Sequence, residues 1–174
     1  MKKLFIIVAL GVLLLSSCSS MNEIIPQAIN TVHSVTFDEL NFNREDYIIL
    51  NTVTADATVS FVKKGSKFKI QDTNNEFEIN FRVKKGIYTD FKFDGILRTG
   101  YLANDYATER PVDLTSPSEI VRGIAIYRLI NMAQMEGADG IIEPTISTSV
   151  EQNGSIILFK TVVNAKLVKL KTDR

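Results

Sequence analysis

Apolar and polar residues alternate along much of this chain, most clearly in TVTADATVSF, residues 52–61, and this alternation limits the folds that the chain can adopt. The apolar positions of this run are Val53, Ala55, Ala57, Val59 and Phe61. A period of two places neighbouring side chains on opposite faces of a β-strand, so we predict a strand over 47–62 with one buried face. Because two alanines lie on that face, we expect another element, most simply a helix, to pack closely against it.

Two turn segments, DTNN at 72–75 and KKG at 84–86, divide the region after this strand into three short runs. The middle run, which contains FEINFRV, alternates regularly between apolar and polar residues. We therefore predict a meander of antiparallel strands at 67–71, 76–84 and 87–94.

The C-terminal part of the chain has the pattern of a β-hairpin. GIIEPTISTSV predicts a strand at about 141–150, and Asn153-Gly154 in EQNG is a strong hairpin-turn signal. A long final strand follows, with a predicted inner face of Ile157, Phe159, Thr161, Val163, Ala165 and Leu167.

Between the meander and the hairpin, SPSE has the form of a helix N-terminus. Ser116 is the predicted N-cap, Pro117 the first helical residue and Glu119 the partner in a capping box. We expect the helix to end just before Gly137, which would take the left-handed C-cap conformation. Its apolar residues surround almost the whole helix axis. This predicts burial on more than one side, by the sheet and by either the 94–117 segment or a second subunit.

The order of elements is therefore strand, meander, helix and hairpin. One main helix on one face of an antiparallel sheet makes an α+β fold. The chain has 174 residues and 45% hydrophobic content, which is enough for one packed domain. We place that domain at 46–174 and interpret 18–45, where the sequence has little sustained periodicity, as a tether.

The N-terminus has the three parts of a secretory signal, namely the basic MKK, the apolar LFIIVALGVLLL and the small-residue site LSSC. The apolar run has twelve residues, whereas a membrane span needs about 20. This order and spacing resemble the signal peptide and lipobox of bacterial lipoproteins. The resemblance implies that residues 1–17 are removed. It also implies that Cys18, the only cysteine, carries diacylglycerol and a further acyl chain such as palmitate.

A protein of that family is anchored in the cell envelope by its acyl chains, since two or more chains give stable membrane attachment. Ser19 follows Cys18, which implies the outer membrane by the sorting pattern of enterobacterial-type lipoproteins. That pattern leaves the face of the membrane open. The pattern TVTADATVSF, GADGIIEPTISTSV and FKTVVNAKLVKL also resembles small α+β envelope lipoproteins of Gram-negative bacteria, a group with no settled activity.

Few groups in the sequence are suited to catalysis or cofactor binding, and we predict no catalytic, metal-binding or cofactor-binding residues. The single histidine, His33, lies in the tether, and a lipidated Cys18 has no free thiol, so no nucleophile–histidine pair is available. GxGxxG, GxxxxGK[ST] and His- or Cys-rich metal patterns do not occur. With 20 basic and 20 acidic residues, the chain has no basic excess for nucleic-acid binding.

The long segment 94–117 is our candidate contact surface. Connections longer than about 12–15 residues are usually functional or disordered, and tyrosine and arginine are enriched at binding hot spots. The candidate residues for contact with a partner or ligand are Tyr101, Asp105, Tyr106, Glu109 and Arg110. The alternative is that the tyrosines pack on the sheet or helix and close the core.

These observations favour a non-enzymatic, lipid-anchored envelope protein. Its domain would bind an envelope protein partner or assemble with a second copy of itself. The alternative interpretation is a hydrolase, or a protein that binds a small ligand or glycan, acting through the acids and tyrosines of 94–117. This alternative requires a concave pocket that collects those side chains.

Overall fold

A computed structural model describes the backbone of residues 27–32 and all atoms of residues 43–102 and 112–171. These ranges contain eight strands, one α-helix and a turn of 3-10 helix at Arg44–Asp46. The strands are β1 (Gln27–Val32), β2 (Tyr47–Lys64), β3 (Lys67–Asp72), β4 (Phe77–Lys84), β5 (Ile87–Gly95), β6 (Leu97–Leu102), β7 (Gly140–Asn153) and β8 (Ile156–Leu170). The helix is α1 (Pro117–Met135).

Six of the strands form one antiparallel sheet in the order β5-β4-β3-β2-β8-β7. At its centre, β2 pairs with β8 from Tyr47 opposite Leu170 to Val62 opposite Ile156. The meander β3–β5 extends the sheet on one side of this pair, and β7 extends it on the other. The predicted meander and hairpin are confirmed, and β7 continues beyond its predicted end to Asn153.

The sheet face that α1 covers, which we call the inner face, carries the predicted apolar positions. The buried residues there include Val53, Ala55, Ala57 and Val59 of β2 and Thr161, Val163, Ala165 and Leu167 of β8. The outer face is polar, and on it the Thr54 hydroxyl donates a hydrogen bond to the Asn164 side chain (2.6 Å). The predicted α+β fold, with one helix on one face of an antiparallel sheet, is confirmed.

The turn between β7 and β8 lies one residue beyond its predicted position. Asn153 is still part of β7 and pairs with Ile156, so Gly154 and Ser155 are the two central turn residues. Gly154 has a φ of 60°, as a type II′ turn requires at its first central position. The glycine of the EQNG signal, and not its asparagine, therefore sets the turn.

The start of α1 differs from the predicted capping box, whereas its end agrees with the prediction because Gly137 is left-handed (φ 65°). Ser116 makes no side-chain cap hydrogen bond, and its hydroxyl lies 3.1 Å from that of Ser118. The Glu119 carboxylate instead accepts a hydrogen bond from the backbone N–H of Asp113 (3.2 Å). The capping box is therefore wrong, because Glu119 holds the turn that precedes the helix.

A second, two-stranded sheet lies outside the main one. β6 pairs in parallel with β1 along all six residues of each strand. The interpretation of 94–117 as one long loop is therefore wrong for its first part, which is β6. β1 lies inside the 18–45 range that the sequence suggested as a tether.

β6 approaches α1 closely through two glycines. A Cβ on Gly100 would lie 2.9 Å from the backbone of Tyr127, and a Cβ on Gly123 would lie 3.0 Å from the side chain of Thr99. α1 also contacts β2 and β8 of the main sheet. The helix is therefore enclosed between the six-stranded sheet and β6, which confirms its predicted burial on more than one side.

Candidate functional site

Of the residues predicted to contact the membrane or a partner, the structure describes only Tyr101. It lies on β6, half-buried, with Thr31 of β1 as its register partner. Its position agrees with the alternative that a tyrosine of this segment helps to close the core. The other predicted site residues lie outside the described part of the chain: Cys18, Asp105, Tyr106, Glu109 and Arg110. Among the described residues, no helix is long and apolar enough to cross a membrane.

Two acids near this segment have structural partners. The Asp90 carboxylate forms an ion pair with the Arg82 guanidinium (3.3 Å) at the β4–β5 edge. Asp113 accepts hydrogen bonds from the backbone N–H and the hydroxyl of Thr115 (2.8 and 2.6 Å), which fixes the turn before α1. These two carboxylates therefore stabilise local structure.

A shallow groove of about 320 Å³ lies beside the β3–β4 turn and is lined partly by Glu76, Glu78 and Asp94. Glu76 is paired with Arg98 (3.2 Å) and Glu78 with Lys69 (2.7 Å). The hydrogen bond from Lys69, with a second from Asn80, lowers the pKa of the Glu78 carboxyl. A carboxyl with a lowered pKa stays ionised at neutral pH and is poorly suited to donate a proton.

Among the residues that the structure describes, the most buried carboxylate is that of Asp72 at the end of β3, which helps to link the sheet to α1. Asp72 is 1% exposed, and its Oδ2 accepts a hydrogen bond from the backbone N–H of Asn74 (2.9 Å). Its Oδ1 has no hydrogen-bond partner and lies 3.8 Å from Nη2 of Arg128. Arg128 also donates to the carbonyl of Asp56 on β2 (2.7 Å). The arrangement attaches the middle of α1 to two strands. No group of three or more His, Cys, Asp or Glu that could hold a metal ion occurs in the described ranges.

β7 is one of the two edge strands of the main sheet. β7 is last in the sheet order, so one side of its backbone has no strand partner among the described residues. From Thr145 to Asn153 every residue is exposed except Ile146, which is half-buried. We call this segment the open edge. It contains no Lys, Arg, Pro or Gly, and Glu151 is its only charged residue.

A bulge separates the open edge from the buried start of β7. The register shifts between Ile142 and Thr145, where Glu143 has a φ of 52° and is followed by Pro144. Bulges and proline interrupt strand pairing, so they limit addition of a further strand to the part of β7 beyond them.

The backbone ladder of the opposite edge strand, β5, is interrupted in its middle. Asp90 has a φ of 54° where the register shifts between Asn80 and Arg82, so the ladder is broken in the middle of the strand. β5 also carries charges at Lys92 and at Asp94. Bulges and charged side chains are the usual means by which proteins prevent edge-to-edge pairing. The two edges of one sheet therefore differ in their capacity to accept a strand.

The inner face beside the open edge is apolar and partly accessible. Val150 is 58% exposed, and its cross-strand neighbour Phe159 is half-buried. Farther into the sheet, Phe68 lies between Phe61 and Phe81, with ring centroids 5.7 and 5.2 Å apart. The open edge thus combines unpaired backbone with accessible apolar side chains, which are the two components of recognition by strand addition.

Sequence reasoning identified β7 as a strand but missed the open edge as a candidate site. The signal is present in TISTSV, a run of β-branched and small hydroxyl residues without a charge, proline or glycine. Its position at the end of the sheet order follows only from the topology, since a hairpin strand can equally lie inside a sheet. Scans against protein-family models, curated proteins and solved structures return no match for this chain.

Proposed function

We propose that this chain is a lipid-anchored protein of the cell envelope, held at the outer membrane, whose α+β domain binds a protein partner and does not catalyse a reaction. The anchor rests on the LSSC pattern that ends at Cys18. The binding role rests on one structural observation, the open edge of β7 beside an exposed Val150.

Strand addition is the mode of recognition that suits this surface. An incoming extended segment completes the backbone hydrogen bonds of an edge strand, and its alternate side chains contact one face of the sheet. At the open edge, that face offers Val150 and Ile146, and the outer face offers small hydroxyl side chains. The groove-lining carboxylates Glu76 and Glu78 are each paired with a cation, which supports the non-catalytic part of the proposal.

The anchor is tested by labelling cells that express the full chain, with its own leader, with a clickable palmitate analogue. We expect the wild-type protein to be labelled and to sediment with membranes, and Cys18→Ser to lose the label. Mass spectrometry of the N-terminal peptide should show a chain that begins at lipid-modified Cys18. An unlabelled wild-type chain would contradict the anchor.

The binding role is tested by crosslinking in intact cells. Because a lipidated Cys18 has no free thiol, a single cysteine introduced at Ser149 is the only reactive thiol in the mature chain. We expect a maleimide–diazirine crosslinker, whose photoreactive end needs no thiol on the partner, to join Ser149→Cys to protein in at least five-fold greater yield than the matched variant Ile87→Cys on β5. Ile87 is an exposed control position, with 66% of its surface accessible. Equal or absent crosslinking at both positions overturns the binding role, as does measurable turnover of an envelope substrate.

A further inference from the structure

We infer that the open edge of β7 pairs with the open edge of a second copy of this chain, antiparallel, about a two-fold axis at Thr148. This inference rests on the binding role proposed above and names the partner. It joins two six-stranded sheets into one continuous sheet.

The distribution of charge along the open edge is compatible with antiparallel pairing of the open edges of two copies. Glu151 is the only charged residue from Thr145 to Asn153. In an antiparallel pair centred on Thr148, Glu151 of each copy lies opposite Thr145 of the other. The two Glu151 side chains are then separated by six residues along the strand, or about 20 Å. Parallel pairing in register would instead place two like charges side by side, which is destabilising.

The same register also matches apolar side chains. Val150 and Ile146 both lie on the inner face, because their β8 partners Phe159 and Val163 do. An axis at Thr148 places Val150 of each copy opposite Ile146 of the other. Val150 is 58% exposed in the single chain, so the pairing buries apolar surface that is otherwise in contact with water.

The symmetry is also compatible with two membrane anchors. Antiparallel strands of one sheet are related by a two-fold axis perpendicular to the sheet, so both copies keep their inner faces on the same side. β1 lies on that side, because it pairs with β6 and β6 packs on α1. Both copies of β1 therefore lie on one side of the paired sheet, which is compatible with attachment of both chains to a single bilayer.

Attachment of both copies to one membrane would compensate for the low affinity of an interface made of a single strand pair. Pairing of a single strand from each copy buries less surface than the roughly 1,200–2,000 Å² of standard stable interfaces. Confinement of both copies to one surface raises their effective concentration and strengthens a weak contact without any new interaction. We therefore expect dimers in membranes and mostly monomers in dilute detergent solution.

Cysteine crosslinking of the full chain in isolated membranes tests the register. Thr148→Cys places two thiols next to each other across the axis, whereas Glu151→Cys places them about 20 Å apart. Under mild oxidation we expect disulfide-linked dimers of Thr148→Cys in at least five-fold greater yield than dimers of Glu151→Cys or Ile87→Cys. Adding Ser147→Lys and Ser149→Lys to Thr148→Cys should reduce the dimer yield about ten-fold, because four lysines meet across the axis. Ile87→Lys in the same background is the matched control and should leave the yield unchanged.

The outcomes separate this inference from the proposed function. Equal dimer yields at Thr148, Glu151 and Ile87 would mean random collision and would overturn the inference. Linkage of Thr148→Cys to a different protein, without self-linkage, would also overturn it but would leave the binding role standing. No adduct of any kind at β7, by disulfide or maleimide, would overturn both.

Discussion

Asp72 and Arg128 show how one buried charge is held in this fold. The carboxylate is almost completely buried, yet only one of its oxygens has a hydrogen-bond partner. The other depends on the guanidinium of Arg128 at 3.8 Å. Removing one partner of a buried pair is costly because the remaining charge is left uncompensated, even where the intact pair adds little net stability.

We therefore expect Arg128→Met to lower the free energy of unfolding by about 2–4 kcal/mol. Asp72→Asn should lower it by less in the Arg128→Met background than alone, since the two side chains are coupled. Urea unfolding of the detergent-solubilised chain measures both. The control is Arg82→Met, which breaks an exposed pair with Asp90 and should cost less than about 1 kcal/mol. Equal effects of the two arginine variants would contradict this account.

The ion pair of Glu78 gives a second prediction, on pH. Its pKa is lowered in the folded chain by the hydrogen bonds from Lys69 and Asn80. A lowered acid pKa contributes stability above the pKa of the unfolded carboxyl, and this is lost as the pH falls through the folded pKa. The contribution is at most about 1 kcal/mol because the pair is partly exposed.

Glu78→Gln should therefore lower the melting temperature at pH 7 and have progressively less effect as the pH falls to 3. Comparison of wild type and variant across this range isolates Glu78 from the other carboxyls, which titrate in both proteins. A difference that stays constant, or grows as the pH falls, would contradict the assigned cause.

Among the secondary-structure elements, the sequence predicts the strands whose apolar residues alternate regularly. It does not predict β6, whose burial and pairing depend on contacts with residues distant in the sequence. β2, β4 and β8 alternate because one face is buried, so their patterns indicate both the strand and its inner face. β6 has no such pattern: Thr99 and Gly100 are both buried, one after the other. Their burial comes from close packing on α1, and the pairing of β6 with β1 joins residues about 70 positions apart. No local signal reports either contact.

The open edge was missed for a related reason. The sequence indicates that Thr145–Asn153 is a strand, and the structure confirms it. Its value as a candidate site comes from the place of β7 at the end of the sheet order, which is a property of the complete topology. The predicted contact residues Asp105, Tyr106, Glu109 and Arg110 stay a prediction.

The close approach of β6 to α1 predicts a large effect of one added methyl group. Gly100→Ala introduces a Cβ that would lie 2.9 Å from the backbone of Tyr127, which cannot move aside without displacing the helix. We expect a loss of about 1–3 kcal/mol in the free energy of unfolding. Gly123→Ala is the matched control. Its Cβ meets the movable side chain of Thr99, and alanine favours the helix by about 1 kcal/mol, so the net loss should be smaller.

At the scale of the whole molecule, β1 determines how far the domain lies from its proposed anchor. Gln27 begins β1 and is nine residues after Cys18. Because an extended residue spans at most about 3.6 Å, the start of β1 lies within about 32 Å of Cys18, the proposed site of lipidation. The tether suggested by the sequence thus includes a strand that is already part of the fold.

Replacing residues 27–32 with a glycine–serine sequence of equal length should weaken β6, which has no other strand partner in the described ranges. We expect amide hydrogen exchange in β6 to become at least ten-fold faster, while exchange in β8 changes little. The same replacement at 19–24 is the control and should leave β6 unchanged. Unchanged exchange in β6 after loss of β1 would contradict the pairing.

Parallel pairing of β1 with β6 also determines how the fold responds to a mechanical force applied at the N-terminal end of β1. In a chain held by lipid at Cys18, tension enters the described structure at Gln27 and passes to β6 through the whole ladder between them. A force along the strand axis loads the β1–β6 hydrogen bonds in shear. These hydrogen bonds then share the force and do not break one after another. β6, the partner of β1, is held to the core by its close packing on α1, where Gly100 approaches the backbone of Tyr127. In a chain anchored in this way, tension passes from β1 to β6 and α1 before it reaches the six-stranded sheet.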